Sequence, residues 1–195
     1  MASTSGAAII AHTFGPLDLR FTSSFVVFPS AVILVGVMLV ARGRETRMHE
    51  FARLLLVGAT WGFAATLFYD AVRPLLRLVF GFDFNPYRAM PLFGSLMTGL
   101  PESAPAAVVA GWIYHFWNGT SFGMMFSLVR PRGGIAEGLV WAMGLQALMM
   151  AVYPHFLQAR LADPGFLWSG IVGHALWGVV LGAGVRRSHL RVAST

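Results

Sequence analysis

The chain has 195 residues, of which 56% are hydrophobic and 11% charged, far below the roughly one quarter charged that soluble domains carry. Its formal charge is +6, every basic residue of the Lys/Arg class is arginine, and cysteine is absent. This excludes disulfides, thiolate metal sites, iron–sulfur clusters, covalently attached haem, lysine Schiff bases and a Walker-type lysine. The arginines flank apolar stretches instead of forming an aromatic-interleaved basic patch, so a lipid bilayer is the expected partner and nucleic acid is not.

Residues 1–23 read as a tail lying at the membrane interface. Ala7-Ala8-Ile9-Ile10 is too short for the apolar region of a signal peptide, and no basic segment precedes it. A membrane span needs about 20 mostly apolar residues. The stretches 24–42, 53–73, 104–129, 134–155 and 165–185 meet that need and predict an all-α polytopic bundle of five spans. Together they form a single transmembrane domain over 24–185, followed by a basic tail at 186–195. The first span is large-sided (Val32, Ile33, Leu34, Val35) and is expected at the periphery.

The second span carries a small-residue stripe, Gly58, Gly62, Thr66, that ends in Asp70. Such faces let helix backbones approach closely in lipid, where no hydrophobic force drives helices together. Asp70 and Arg73 are spaced i, i+3 and can pair on one helix face. Asp70 can equally orient a histidine from a neighbouring helix. A long connection, about 74–103, follows. It is broken by prolines and carries Phe82, Phe84, Tyr87 and Phe93, anchors suited to headgroup level. Its apolar piece from Met90 to Leu100 is too short to span.

The third span reads Gly111-x3-His115-x3-Gly119-x3-Gly123, and the fifth repeats the frame as Gly170-x3-His174-x3-Gly178-x3-Gly182. A four-residue step keeps these side chains on one face. The fourth span carries Gly134, Gly138 and Ala142, and its stripe ends in Gln146. Spans two and three therefore match spans four and five in pattern, which suggests a tandem repeat of helical hairpins. The short turn Arg130-Pro131-Arg132-Gly133-Gly134 makes spans three and four antiparallel neighbours. Glu137, near the start of span four, is within reach of Arg130 or Arg132 for a surface pair.

At about 1.5 Å per residue, His115 and His174 lie about 13–17 Å below the same end of the bundle. Gln146 and Asn118 share that layer, and Asp70 lies at or above it. Histidine inside lipid is costly and marks a function or a polar contact between helices. His115 and His174 are the candidate axial ligands of haem b, and with Asp70 the candidate ligands of a divalent metal. Their other roles are polar contact between helices and proton transfer. Nine arginines at the ends joined by short segments, against five at the other ends, place the N-terminus outside and the C-terminus in the cytoplasm. An arginine-only, Ala- and Gly-rich chain fits a bacterial inner membrane. Three functions are open: a non-catalytic subunit or scaffold working with other membrane subunits or as a homo-oligomer, a haem- or metal-binding oxidoreductase component, and a small proton-coupled transporter.

Overall fold

The computed structural model describes residues 3–41, 46–157 and 163–193. All of the described secondary structure is helical. Helix α1 is Thr4–Phe14, and α2 is Leu19–Thr22, which runs through a π-helical turn (Ser23–Val27) into α3, Phe28–Ala41. Helices α4 (Thr46–Phe80), α5 (Ala89–Thr98), α6 (Pro105–Val129), α7 (Ile135–Leu157) and α8 (Pro164–Ala193) complete the chain. Arg42, Arg44 and Arg160, used above for orientation, lie outside the described residues, as do the side chains of Arg47 and Arg191.

Four helical segments are long and apolar enough to cross a membrane: Leu19–Ala41, Met48–Phe80, Ile135–His155 and Pro164–Leu190. Helix α6, the expected third span, is not one of them. Its 25 residues reach about 37 Å, but Tyr114, His115, Asn118, Thr120 and Ser121 dilute its apolar character. Proline at the first helical position starts both α6 and α8, where its missing N–H costs nothing. Asp163 caps α8 by accepting the Gly165 N–H at 2.8 Å.

Helix α4 is the axis of the bundle, packed on α6 along one side and on α8 along another. Backbone contact closes both antiparallel seams. A methyl group added at Gly58 would lie 2.5 Å from the Gly123 carbonyl oxygen, and one at Gly62 would lie 2.6 Å from that of Gly119. On the α7–α8 seam a methyl group at Gly178 would lie 2.5 Å from the Gly138 carbonyl, and Gly182 lies against Gly134. The leading glycines of the two frames serve differently. Gly111 admits the backbone of α5 at Met90, whereas Gly170 faces the Gln146 amide. Helix α3 packs on α4 and leaves Val32, Ile33, Val35 and Leu39 exposed.

Several expectations change here. Residues 1–23 are not simply a tail: α1 buries Ser5, Ala8 and Ile9 and packs on both α6 and α7. It fills the space between those two helices, so α6 and α7, although joined by a short turn, are not a closely packed pair. They touch near the turn through Phe126 and Trp141, with ring centroids 6.1 Å apart. The 74–103 connection is mostly helix. Helix α4 continues through Pro74 to Phe80, and α5 buries Met90, Phe93 and Gly94 against α6. Residues 186–193 prolong α8 instead of forming a tail. Glu137 accepts the Gly134 N–H at 3.0 Å, and among the described residues it has no ion-pair partner.

Candidate functional site

The site is assembled where α4 passes the frame histidine of α6. The α4 stripe steps from Gly58 through Gly62 and Thr66 to Asp70, and the Gly62–Gly119 contact puts Asp70 level with His115. His115 Nε2 lies 2.9 Å and 3.0 Å from the two Asp70 carboxylate oxygens. An ionised carboxylate only accepts, so Nε2 carries the proton and donates it, and a neutral His115 keeps its lone pair on Nδ1. Asp70 is 8% exposed and Arg73 7%. The expected i, i+3 pair is present, with Arg73 Nη1 3.7 Å from Asp70 Oδ1. Arg73 Nη2 donates to the Pro86 carbonyl, and its guanidinium carbon lies 4.7 Å from the Tyr69 ring centre. The guanidinium Nε has no hydrogen-bond partner among the described residues.

Pro74 explains a second contact. Proline has no N–H, so the carbonyl four residues earlier in α4, that of Asp70, loses its helical partner. The Tyr87 hydroxyl fills that gap and donates to the Asp70 carbonyl at 2.9 Å. Burial pushes the Tyr87 phenol above its ordinary pKa; the Asp70 charge adds to the rise and Arg73 opposes it. Tyr87 therefore stays a donor at neutral pH.

His174 and His115 do not touch each other. Tyr69 contacts both, with ring centroids 4.9 Å from His174 and 6.1 Å from His115. His174 Nδ1 donates to the Gly170 carbonyl at 2.9 Å. A carbonyl only accepts, so a neutral His174 keeps its lone pair on Nε2. Neither His115 Nδ1 nor His174 Nε2 has a hydrogen-bond partner among the described residues. Both histidines line one half-open cavity of about 130 Å³, with Tyr69, Arg73, Tyr114 and Asn118 among its polar residues. Helices α1, α5 and α7 add mainly apolar wall: Ile9, Met90, Phe93 and Val152.

Of the polar layer read from sequence, Asp70 and His115 pair directly, and His115, His174 and Asn118 share the cavity wall. Gln146 is not on the cavity wall. It is 4% exposed, and among the described residues both of its amide atoms lack partners, as does Asn118 Oδ1. Among the described residues no three His, Cys, Asp or Glu side chains come together as metal ligands. Sequence reasoning missed Tyr69 and Ser5 and read Tyr87 only as a headgroup-level anchor. Tyr69 had a signal, since it sits beside Asp70 and at i−4 from Arg73; Tyr87 and Ser5 had none.

The chain matches no protein-family model, no curated protein and no solved structure.

Proposed function

We propose that this is a bacterial inner-membrane protein whose Asp70–His115 pair exchanges a proton with a molecule held in the half-open cavity. The observation that carries the reading is the Asp70 carboxylate 2.9 Å from His115 Nε2 on the wall of that cavity. An aspartate in this position fixes the imidazole tautomer and stabilises the imidazolium that forms when Nδ1 takes a proton, the role it has in hydrolytic triads. Ionisable groups inside membranes are costly and mark sites of this kind. Arg73 balances the Asp70 charge, so the pair gains a net charge only when a proton arrives.

The surrounding architecture supports the reading as well. We take α6 as a fifth span and the α4–α6 and α7–α8 pairs as tandem hairpin repeats, in which the His174–Gln146 level corresponds to His115–Asp70. The first repeat keeps a carboxylate at that level and the second an amide, which makes the first the proton-handling half. The N-terminus outside and the C-terminus inside follow from the arginine distribution. A scaffold role among other membrane subunits draws support from the glycine seams but does not account for the cavity. A metal or haem at His115 and His174 is less well supported, because among the described residues no group of three His, Cys, Asp or Glu side chains comes together.

Infrared difference spectra of the protein in lipid vesicles, taken between acidic and alkaline buffer, test this. A carboxyl–imidazole response that is lost in Asp70→Asn and His115→Gln, with helical circular dichroism retained, is the expected outcome. Variant spectra that match those of the unchanged protein would overturn the proposal.

A further inference from the structure

The connection between α4 and α5 re-enters the bundle. Phe80, the last residue of α4, and Pro105, the first of α6, each stand about 15 Å above the Asp70–His115 pair at 1.5 Å per residue, and mark one end of the bundle. Between them the chain drops back toward the pair. Helix α5 runs antiparallel to α6, with Gly94 against Ala107 and Met90 against Gly111, so the residues just before Met90 lie deepest. The Tyr87 ring centre is 5.3 Å from that of Trp112, and the Tyr87 hydroxyl reaches the Asp70 carbonyl. Residues 82–87 are not helical. Irregular backbone at membrane depth persists only where protein buries it or where it lines a water-filled cavity. Pro86 is buried and Arg73 takes its carbonyl, but Asn85 is exposed and lines the cavity. Ile10 and Leu148 are also exposed on the wall, yet both are apolar and suit acyl chains. At the other end the cavity stops where Thr66 accepts the Trp177 N–H at 3.2 Å and Gly6 lies against Phe122. Beyond Thr66 the Gly62–Gly119 and Gly58–Gly123 backbones meet.

We infer that the molecule held in the cavity is water, that it enters from the outer face past Asn85, and that the Asp70–His115 pair exchanges protons with that face alone. This rests on the proton-exchange reading of His115 and on the orientation given with it. A cavity of about 130 Å³ has room for several waters, each of which takes about 30 Å³ in the liquid. A held water needs roughly two to four polar partners, and two bare acceptors, His115 Nδ1 and His174 Nε2, belong to side chains on this wall. The ionisable groups around His115 are Tyr69, Asp70 and Arg73 on α4, Tyr87 on the connection, Tyr153 on α7 and His174 on α8, with Tyr114 on α6 itself. Helices α1 and α5 bring none to the wall. In the exchange an O–H bond of hydronium breaks, the Nδ1–H bond of His115 forms, and water is left behind. Asp70 holds the imidazolium, and the reverse step returns the proton to water. No co-reactant besides water is needed.

Because the chain has no cysteine, single thiols can map the entrance. A negatively charged, membrane-impermeant thiosulfonate is the probe on intact cells, with labelling read by peptide mass spectrometry. Asn85→Cys should react at least about tenfold faster than Leu148→Cys, because the reacting species is the thiolate, which forms in water and is suppressed among apolar groups. Equal rates, faster labelling of Leu148→Cys, or labelling of Asn85→Cys only after lysis would overturn the outer route. A second measurement needs no substitution at the mouth. In sealed vesicles that hold the protein in one orientation, a pH step in the bath should produce the Asp70-dependent infrared response at once when the Asn85 end faces the bath. When that end faces the lumen, the response should wait until the lumen has equilibrated. A response that ignores orientation, or that follows the pH at the opposite end, would overturn the one-sided exchange. If Asn85→Cys labels as expected but the response ignores Asp70, the aqueous mouth stands and the proton-exchange reading falls. If the response depends on Asp70 but labelling favours Leu148→Cys, the acid–base site stands and the water route falls.

Discussion

At the scale of single residues, Pro74 and Tyr87 form a compensated pair. The proline frees the Asp70 carbonyl, and a hydroxyl from 17 positions further along the chain satisfies it. Tyr87→Phe should destabilise the protein by about 1–3 kcal/mol, the cost of a buried acceptor left without a donor. In a Pro74→Ala background the restored N–H can serve that carbonyl, so the same change should cost much less. A double-mutant cycle of unfolding in mixed micelles measures the difference; equal costs in both backgrounds would show that Tyr87 does not act through Asp70. Gln146 poses the opposite case. Among the described residues its two amide atoms are buried without partners, and such a group costs about 1–3 kcal/mol. Gln146→Leu is therefore expected to leave stability unchanged or raise it in the same assay, whereas a clear loss would reveal a partner for the amide.

Among the helices, contact rather than composition separates one glycine from another. Gly36 on α3 has nothing within 4 Å of where a Cβ would stand, whereas Gly62 on α4 meets the Gly119 backbone at 2.6 Å. Gly36→Ala should be neutral or stabilising by about 0.5–1 kcal/mol through the chain entropy of glycine. Gly62→Ala should cost about 1–3 kcal/mol, because a backbone neighbour cannot rotate aside as a side chain can. Thermal unfolding of the two variants gives the comparison, and similar midpoints would show that the α4–α6 seam gives way easily. The stripes were legible because a four-residue period on a helix fixes a face. Their partners were legible where both helices carried a stripe, as at Gly58 with Gly123 and Gly138 with Gly178. The α5–α6 crossing was not, because Gly94 meets Ala107 and Gly111 meets Met90 without a shared period to announce it.

For the whole molecule the open question is the passage of α6, whose two ends are marked by Glu102 and Arg132. With α6 crossing and the N-terminus outside, Glu102→Cys should be labelled on intact cells by an impermeant thiol reagent, and Arg132→Cys only after lysis. Labelling of both from outside would remove α6 from the set of spans, and labelling of Arg132→Cys alone would invert the orientation. The chain's low charge and long apolar segments already pointed to a membrane bundle, and four helical segments are long and apolar enough to cross a membrane.

By itself the sequence determined the long apolar helices α3, α4, α7 and α8, the small-residue faces and the local Asp70–Arg73 pair, because each depends on spacing within one helix, and helix geometry is the same in every protein. Only the tertiary structure decided that Asp70 meets His115, that Tyr69 stands against both histidines, and that α1 occupies the space between α6 and α7. Those contacts join residues as far apart as 45 positions for Asp70 and His115 and 141 for Phe14 and His155. Contacts at such separations depend on how whole helices are arranged around α4, and no local period encodes that arrangement.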